Sequence, residues 1–154
     1  MIVSGKILTT FKTNFILTAM VLAGFSAFGQ ISIEPGPDVT PVDMVENIVG
    51  EGIQYSNVTF QGADASRGTF TNGSSTNLGI GSGIFLTSGA GYNIPGPNAS
   101  TSAGSNNGMP GHASLNAITT STTYDAAVLE FDFIPESDTL RFKYVFGSEE
   151  YNEW

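Results

Sequence analysis

Two stretches near the carboxyl end of the chain alternate between apolar and polar side chains, and they constrain the fold more than any other feature. Residues 127–133 and 140–146 both show the two-residue period of a strand with one buried face. The apolar positions are Ala127, Leu129, Phe131 and Phe133 in the first stretch and Leu140, Phe142, Tyr144 and Phe146 in the second. Because turn-forming residues 135–138 separate them, the pattern predicts an antiparallel β-hairpin.

The charged side chains on the opposite faces fit one register of this hairpin. Glu130 faces Lys143 and Asp132 faces Arg141 when the apolar faces are also paired. A shift by one residue would bury charges and expose aromatic rings. Exposed charge pairs contribute roughly 0.2–1 kcal/mol each, whereas burial of a Leu or Phe side chain contributes about 1.5–3 kcal/mol, so the apolar face is predicted to set the stability.

The remaining segments predict a mostly β chain, an antiparallel, jelly-roll-like β-sandwich with one short N-terminal helix. Strands are predicted over residues 53–60, 68–70 and 83–88, and a bulge near Asn57 would bring the two halves of the first into phase. Residues 89–111, rich in Gly, Ser, Asn and Pro, form a long loop that is expected to be mobile or to contact a ligand. One helical turn is predicted within residues 112–118.

The N-terminal helix is predicted from its capping chemistry. Thr40 can cap the helix, Pro41 suits its first position, and Asp43 has the spacing of a capping box. The expected apolar stripe consists of Val42, Val45, Ile48 and Val49. Gly50 or Gly52 would end the helix.

The first 29 residues have the pattern of a secretory signal peptide. Lys6 and Lys12 precede an uncharged apolar run over residues 15–28, which is shorter than the ~20 residues of a membrane span. The predicted organisation is a signal peptide at 1–29, an extended lead-in at 30–41 and one domain at 42–154. No membrane span is expected in the mature chain.

Charge and cysteine content exclude several functions. Removal of the signal peptide would leave three basic residues against 14 acidic ones, a net charge of −11. Nucleic acids and anionic membranes require clustered Lys and Arg, so neither is an expected partner, whereas cations are suitable ligands. The acidity could equally serve solubility alone. Without cysteine the chain has no disulfide, thiolate metal site or Cys nucleophile.

The segment FKYVFGSEEY, residues 142–151, resembles the F-x-Y-V-F-x-S-E-E-Y signature of the choice-of-anchor L domain family. The elements NVTF at 57–60, GTF at 68–70 and GIFLTSG at 83–89 are similar to that family's order. The resemblance implies a secreted or surface protein of bacteria, often Bacteroidota, with no established catalytic activity. Because family members continue beyond this point, it also implies an incomplete domain whose anchoring segment is absent from the sequence.

Acidic residues near the end of the chain form the candidate metal site. Glu149 and Glu150, with Asp125 placed at the same end of the predicted hairpin, could supply oxygen ligands to Ca²⁺. The alternative is structural: one glutamate binds backbone amides or a basic side chain, and the other is solvated.

The sequence contains no convincing motif of a glycosidase or of a Ser-His-Asp hydrolase. Adjacent glutamates on a strand point to opposite faces and would not flank one glycosidic bond. His112 is the single histidine, and no serine lies in a G-x-S-x-G motif. The sequence therefore predicts a non-enzymatic, exported binding or adhesion module, possible ligands being an extracellular glycan or protein, with Ca²⁺ as a possible aid. The alternatives are a structural spacer of a larger surface protein, or part of a secreted hydrolase whose catalytic residues lie beyond residue 154.

Overall fold

The computed structural model describes residues 30–98, 100 and 102–148, and the fold is mostly β, with antiparallel sheets and few helices, as predicted. The strands are β1 (Ser32–Pro35), β2 (Tyr55–Gln61), β3 (Arg67–Thr71), β4 (Gly83–Leu86) and β5 (Val128–Phe133). The helices are α1 (Pro41–Val49) and α2 (Ala113–Asn116), with short 3-10 turns at Asp64–Ser66, Gly73–Ser75 and Gly91–Asn93. The predicted signal peptide, residues 1–29, lies outside the described residues.

The first sheet has the order β1-β3-β4, and all its pairings are antiparallel. β1 arises from the predicted lead-in, which therefore forms an edge strand. At the centre of the sheet, Gly68 has φ of 157° and lies between β1 and the Phe85 ring. A Cβ there would collide with the Glu34 carbonyl oxygen, so the position requires glycine.

The second sheet pairs β2 with β5. Tyr55 pairs with Phe133 and Phe60 with Leu129, and the register shifts between Ser56 and Thr59. Asn57 lies in that shift with φ of 52°, so the predicted bulge is confirmed.

The predicted hairpin is wrong. β5 pairs with β2, and residues 134–148 contain no strand. Alternation in a sequence indicates which face of a strand is apolar but does not identify its neighbour. β2 pairs with one edge of β5, and residues 140–146 do not pair with the other.

Helix α1 begins with the predicted capping box. The Thr40 hydroxyl accepts from the Asp43 amide at 3.2 Å, and the Asp43 carboxylate accepts from the Thr40 amide at 2.8 Å. Gly50 is the C-cap. The buried side chains are Met44 and Val45, whereas Val42 and Ile48 of the predicted stripe are exposed. The helix contacts both β2 and β4, and the Glu46 carboxylate accepts a hydrogen bond of 2.6 Å from the Tyr55 hydroxyl.

Replacing Thr40 with alanine should lower the free energy of unfolding by about 1 kcal/mol at neutral pH. The Thr40 hydroxyl and amide hold the pKa of Asp43 below its ordinary value. A lowered folded-state pKa gives stability that is present above the ordinary pKa and lost as pH falls through the folded value. The difference between wild type and Thr40→Ala in urea melts should therefore shrink on strong acidification. Thr40→Ser keeps both bonds and is the control; an equal loss in that variant would contradict the capping role.

A buried arginine joins the lead-in to the first sheet. Arg67 donates to the Val39 carbonyl, and its guanidinium lies 2.5 Å from an Asp64 carboxylate oxygen. The guanidinium carbon also lies 5.0 Å from the centre of the Phe60 ring, a cation-π distance. Arg67 thus contacts segments before β2, within β2 and before β3.

The buried apolar side chains come from the lead-in, α1, β3, β4, the long loop and the segment before β5. They are Val39, Met44, Val45, Phe70, Phe85, Ala90 and Ala126. In the part of the chain that the structure describes, no helix has the length and apolar character needed to cross a bilayer.

Candidate binding surface

Asp125 binds the backbone of the long loop. Only 8% of its surface is exposed, and φ is 51°. One carboxylate oxygen accepts from the Met109 amide at 2.6 Å and the other from the Asn107 amide at 3.2 Å. The Asp125 amide in turn donates to the Met109 carbonyl at 2.9 Å. Asp125 therefore joins the loop to the segment that enters β5.

Side-chain amides and hydroxyls connect the loop to the end of β4. The Asn107 side chain donates to the carbonyl oxygens of Ser88 at 3.2 Å and Gly89 at 2.8 Å. The Ser105 hydroxyl accepts from the Ala90 amide at 2.8 Å, and the Asn93 side chain donates to the Ala103 carbonyl at 3.0 Å. Polar side chains therefore bind the described part of this loop, which contains no α-helix or β-strand.

An open groove of about 710 Å³ lies between three loops, and we call it the apolar groove. Its walls are residues 30–31 before β1, residues 76–78 between β3 and β4, and residues 94–97 of the long loop, with Val145 at one side. The lining side chains are Gln30, Ile31, Thr76, Asn77, Leu78, Ile94, Pro95, Pro97 and Val145. Such a concave, mostly apolar surface with a few amide groups is typical of a ligand site.

Gln30 fixes two of these walls relative to each other. Its side-chain amide donates to the carbonyl oxygens of Pro95 at 3.1 Å and Gly96 at 3.0 Å. Its own carbonyl accepts from the Asn72 side chain at 2.7 Å. The groove is therefore formed before any ligand enters, which reduces the entropy lost on binding.

The structure describes one of the three predicted calcium ligands. Asp125 is described, whereas Glu149 and Glu150 lie outside the described residues. Within residues 30–98, 100 and 102–148, no group of three or more His, Cys, Asp or Glu side chains is placed to hold a metal ion. Both Asp125 oxygens already accept backbone hydrogen bonds. Calcium binding stays a prediction.

Other residues that the sequence singled out have local contacts. His112 is the N-cap of α2, its Nδ1 accepting from the Ser114 amide at 3.3 Å, and the predicted helical turn is confirmed. Asn57, in the bulge, donates to the Asp132 carboxylate at 2.6 Å. The groove residues Gln30 and 76–78 were missed because their meeting depends on loop packing. The sequence only indicated that the loop of residues 89–111, which includes Ile94, Pro95 and Pro97, was either mobile or in contact with a ligand.

A family model described as "Choice-of-anchor L domain" matches residues 32–154. The chain belongs to this family. The match confirms the resemblance that the sequence analysis inferred from residues 142–151 and from the strand motifs. No curated protein and no solved structure matches the chain.

Choice-of-anchor L domains are modules of secreted or cell-surface bacterial proteins. The chain is therefore a module of that kind. Both the apolar groove and the long loop lie within the matched residues, apart from Gln30 and Ile31, which immediately precede them.

Proposed function

We propose that this choice-of-anchor L domain is an exported, non-enzymatic binding module that holds an extended, apolar segment of an extracellular protein in the apolar groove. The observation that carries the proposal is the groove itself, which three loops form and Gln30 fixes. Main-chain groups of an extended peptide can bond to side-chain amides such as Asn77, while its apolar side chains contact Ile94 and Leu78.

A protein ligand fits this lining better than a glycan does. Sugar rings stack on aromatic faces, and the described lining consists of aliphatic, proline, amide and hydroxyl side chains. Tyr92, which is exposed, is not among the lining residues. A glycan ligand is therefore the second outcome of the binding test.

Asp125 and His112 are polar residues of types that can serve catalysis. Their local hydrogen bonds support the proposal of a non-enzymatic module. The Asp125 carboxylate accepts two backbone hydrogen bonds, and the His112 ring caps α2. These bonds give each group a structural role in the local fold, which accounts for its position without catalysis.

The test is binding of the purified chain to an immobilised peptide array and to an immobilised glycan array. Retention of apolar peptides and not of glycans is expected. Mass spectrometry of the bound peptides checks for cleavage, which would favour the hydrolase alternative. Binding to neither array would favour the spacer alternative and overturn the proposal.

Ile94→Asp should weaken peptide binding at least about tenfold, because a carboxylate would lose water against an apolar ligand. Ile94 is 38% exposed, so the unbound protein should tolerate the charge. Leu115→Asp is the matched control, since Leu115 is 40% exposed and lies on α2, away from the groove lining. Equal loss of binding in both variants would show that the groove is not the site.

A further inference from the structure

The segment of residues 140–146 is an exposed apolar arm. Phe142 is 76% exposed and Tyr144 78%, and no residue of the segment lies in a strand. Val145 lines the apolar groove beside Gln30 and Ile31, which precede β1 in the other sheet. The arm therefore leads away from β5, the strand that precedes it in the chain.

The β5 strand has an edge to which the arm could add. Its sheet contains two strands, so among the described residues β2 occupies one edge of β5 and no strand occupies the other. An unpaired edge presents backbone N–H and C=O groups that can pair with a further strand.

The arm and this edge are complementary in both charge and apolarity. In an antiparallel ladder between the arm and this edge, one register would place Phe131 opposite Phe142 and the exposed Glu130 opposite Lys143. The ladder would join the half-buried Phe131 and Phe133 to the exposed arm rings on one face. A shift by one residue would place charges on the apolar face, so the fit is specific to one register.

We propose that the arm of one molecule adds as a strand to the free edge of β5 in a second copy of this chain, and that the second copy does the same in return. The arm already extends from its own β5 to the apolar groove. Pro135, which immediately follows Ile134 in the connecting segment, fixes its own φ and restricts Ile134 to extended conformations. Reciprocal exchange closes with two-fold symmetry and satisfies both edges.

Charge reversal tests the exchange between molecules. Lys143→Glu places two carboxylates opposite each other at both junctions of the dimer, and Glu130→Lys places two ammonium groups there. Each variant alone should dimerise roughly tenfold more weakly than wild type in sedimentation equilibrium. An equimolar mixture should recover wild-type affinity, because each junction of the mixed dimer then pairs opposite charges. Glu51→Lys, on an exposed turn residue, is the control and should leave dimerisation unchanged.

Hydrogen exchange distinguishes the second copy from other partners of the arm. Amide protection of residues 140–146 that rises with protein concentration supports the proposal. Protection that is independent of concentration would mean that the arm folds back on its own β5, and it would overturn the proposal. A wild-type chain that stays monomeric up to millimolar concentration, or a mixture that does not recover, would overturn it as well. These measurements use the chain without peptide, so a failure of the proposed peptide binding would not change them, although exchange would move Val145 out of the groove lining.

Discussion

Arg67→Ala is expected to lower the free energy of unfolding by about 3 kcal/mol, the largest loss among the substitutions considered for this domain. The truncation removes a buried side chain that packs against Phe60 and leaves the Val39 carbonyl without its donor. Asp64 is exposed and can be hydrated once the guanidinium is gone, so it adds little to the loss. Urea unfolding at neutral pH measures the change.

Two further variants separate packing from hydrogen bonding at this position. Arg67→Met keeps most of the apolar stem, so about half of the loss should remain. Arg141→Ala removes the same kind of side chain from an exposed position and should change stability by less than about 0.5 kcal/mol. If Arg67→Met were as stable as wild type, the hydrogen bond and ion pair would contribute nothing net, as replacement of buried ion pairs has shown elsewhere.

The parts of the fold that were predicted correctly are those that local chemistry determines. The capping box at Thr40 and Asp43 needs residues three apart, and the bulge at Asn57 follows from an out-of-phase alternation within one strand. The hairpin prediction was wrong because it required the strand that pairs with residues 127–133 to be identified from the sequence. Alternation shows which face of a strand is apolar but not which strand it pairs with; tertiary packing places β2 on one edge of β5 and leaves residues 140–146 outside any strand.

In the candidate site too, the sequence indicated individual residues but not their tertiary partners. Asp125 was singled out as a carboxylate near the start of a strand, but its partners, the amides of Asn107 and Met109, come from a loop without periodic signal. The backbone amides of a loop are the same in any sequence, so composition could not show that they converge on this carboxylate. The apolar groove could not be predicted either, because its walls come from segments far apart in the sequence, before β1, between β3 and β4 and after β4.

Asp125→Ala is expected to lower the free energy of unfolding by about 2–3 kcal/mol, which corresponds to a fall in Tm of roughly 10 °C. The substitution leaves two half-buried backbone amides, those of Asn107 and Met109, without their acceptor. It also places alanine at φ of 51°, a conformation that aspartate and asparagine adopt more readily. Hydrogen exchange should show the two amides losing protection before the amides of β3 do.

Asp125→Asn tests whether charge or shape provides this stability. Asparagine tolerates the backbone conformation and can accept one of the two bonds, but its NH₂ group would face the other amide, so about half of the loss should remain. Asp138→Ala, at an exposed position, should have almost no effect. The same melts in EDTA and in millimolar Ca²⁺ test the calcium prediction, because an ion that binds the native state raises Tm. A rise that Asp125→Asn removes would contradict a purely structural role, since it would make the carboxylate a metal ligand as well as the acceptor for the loop amides.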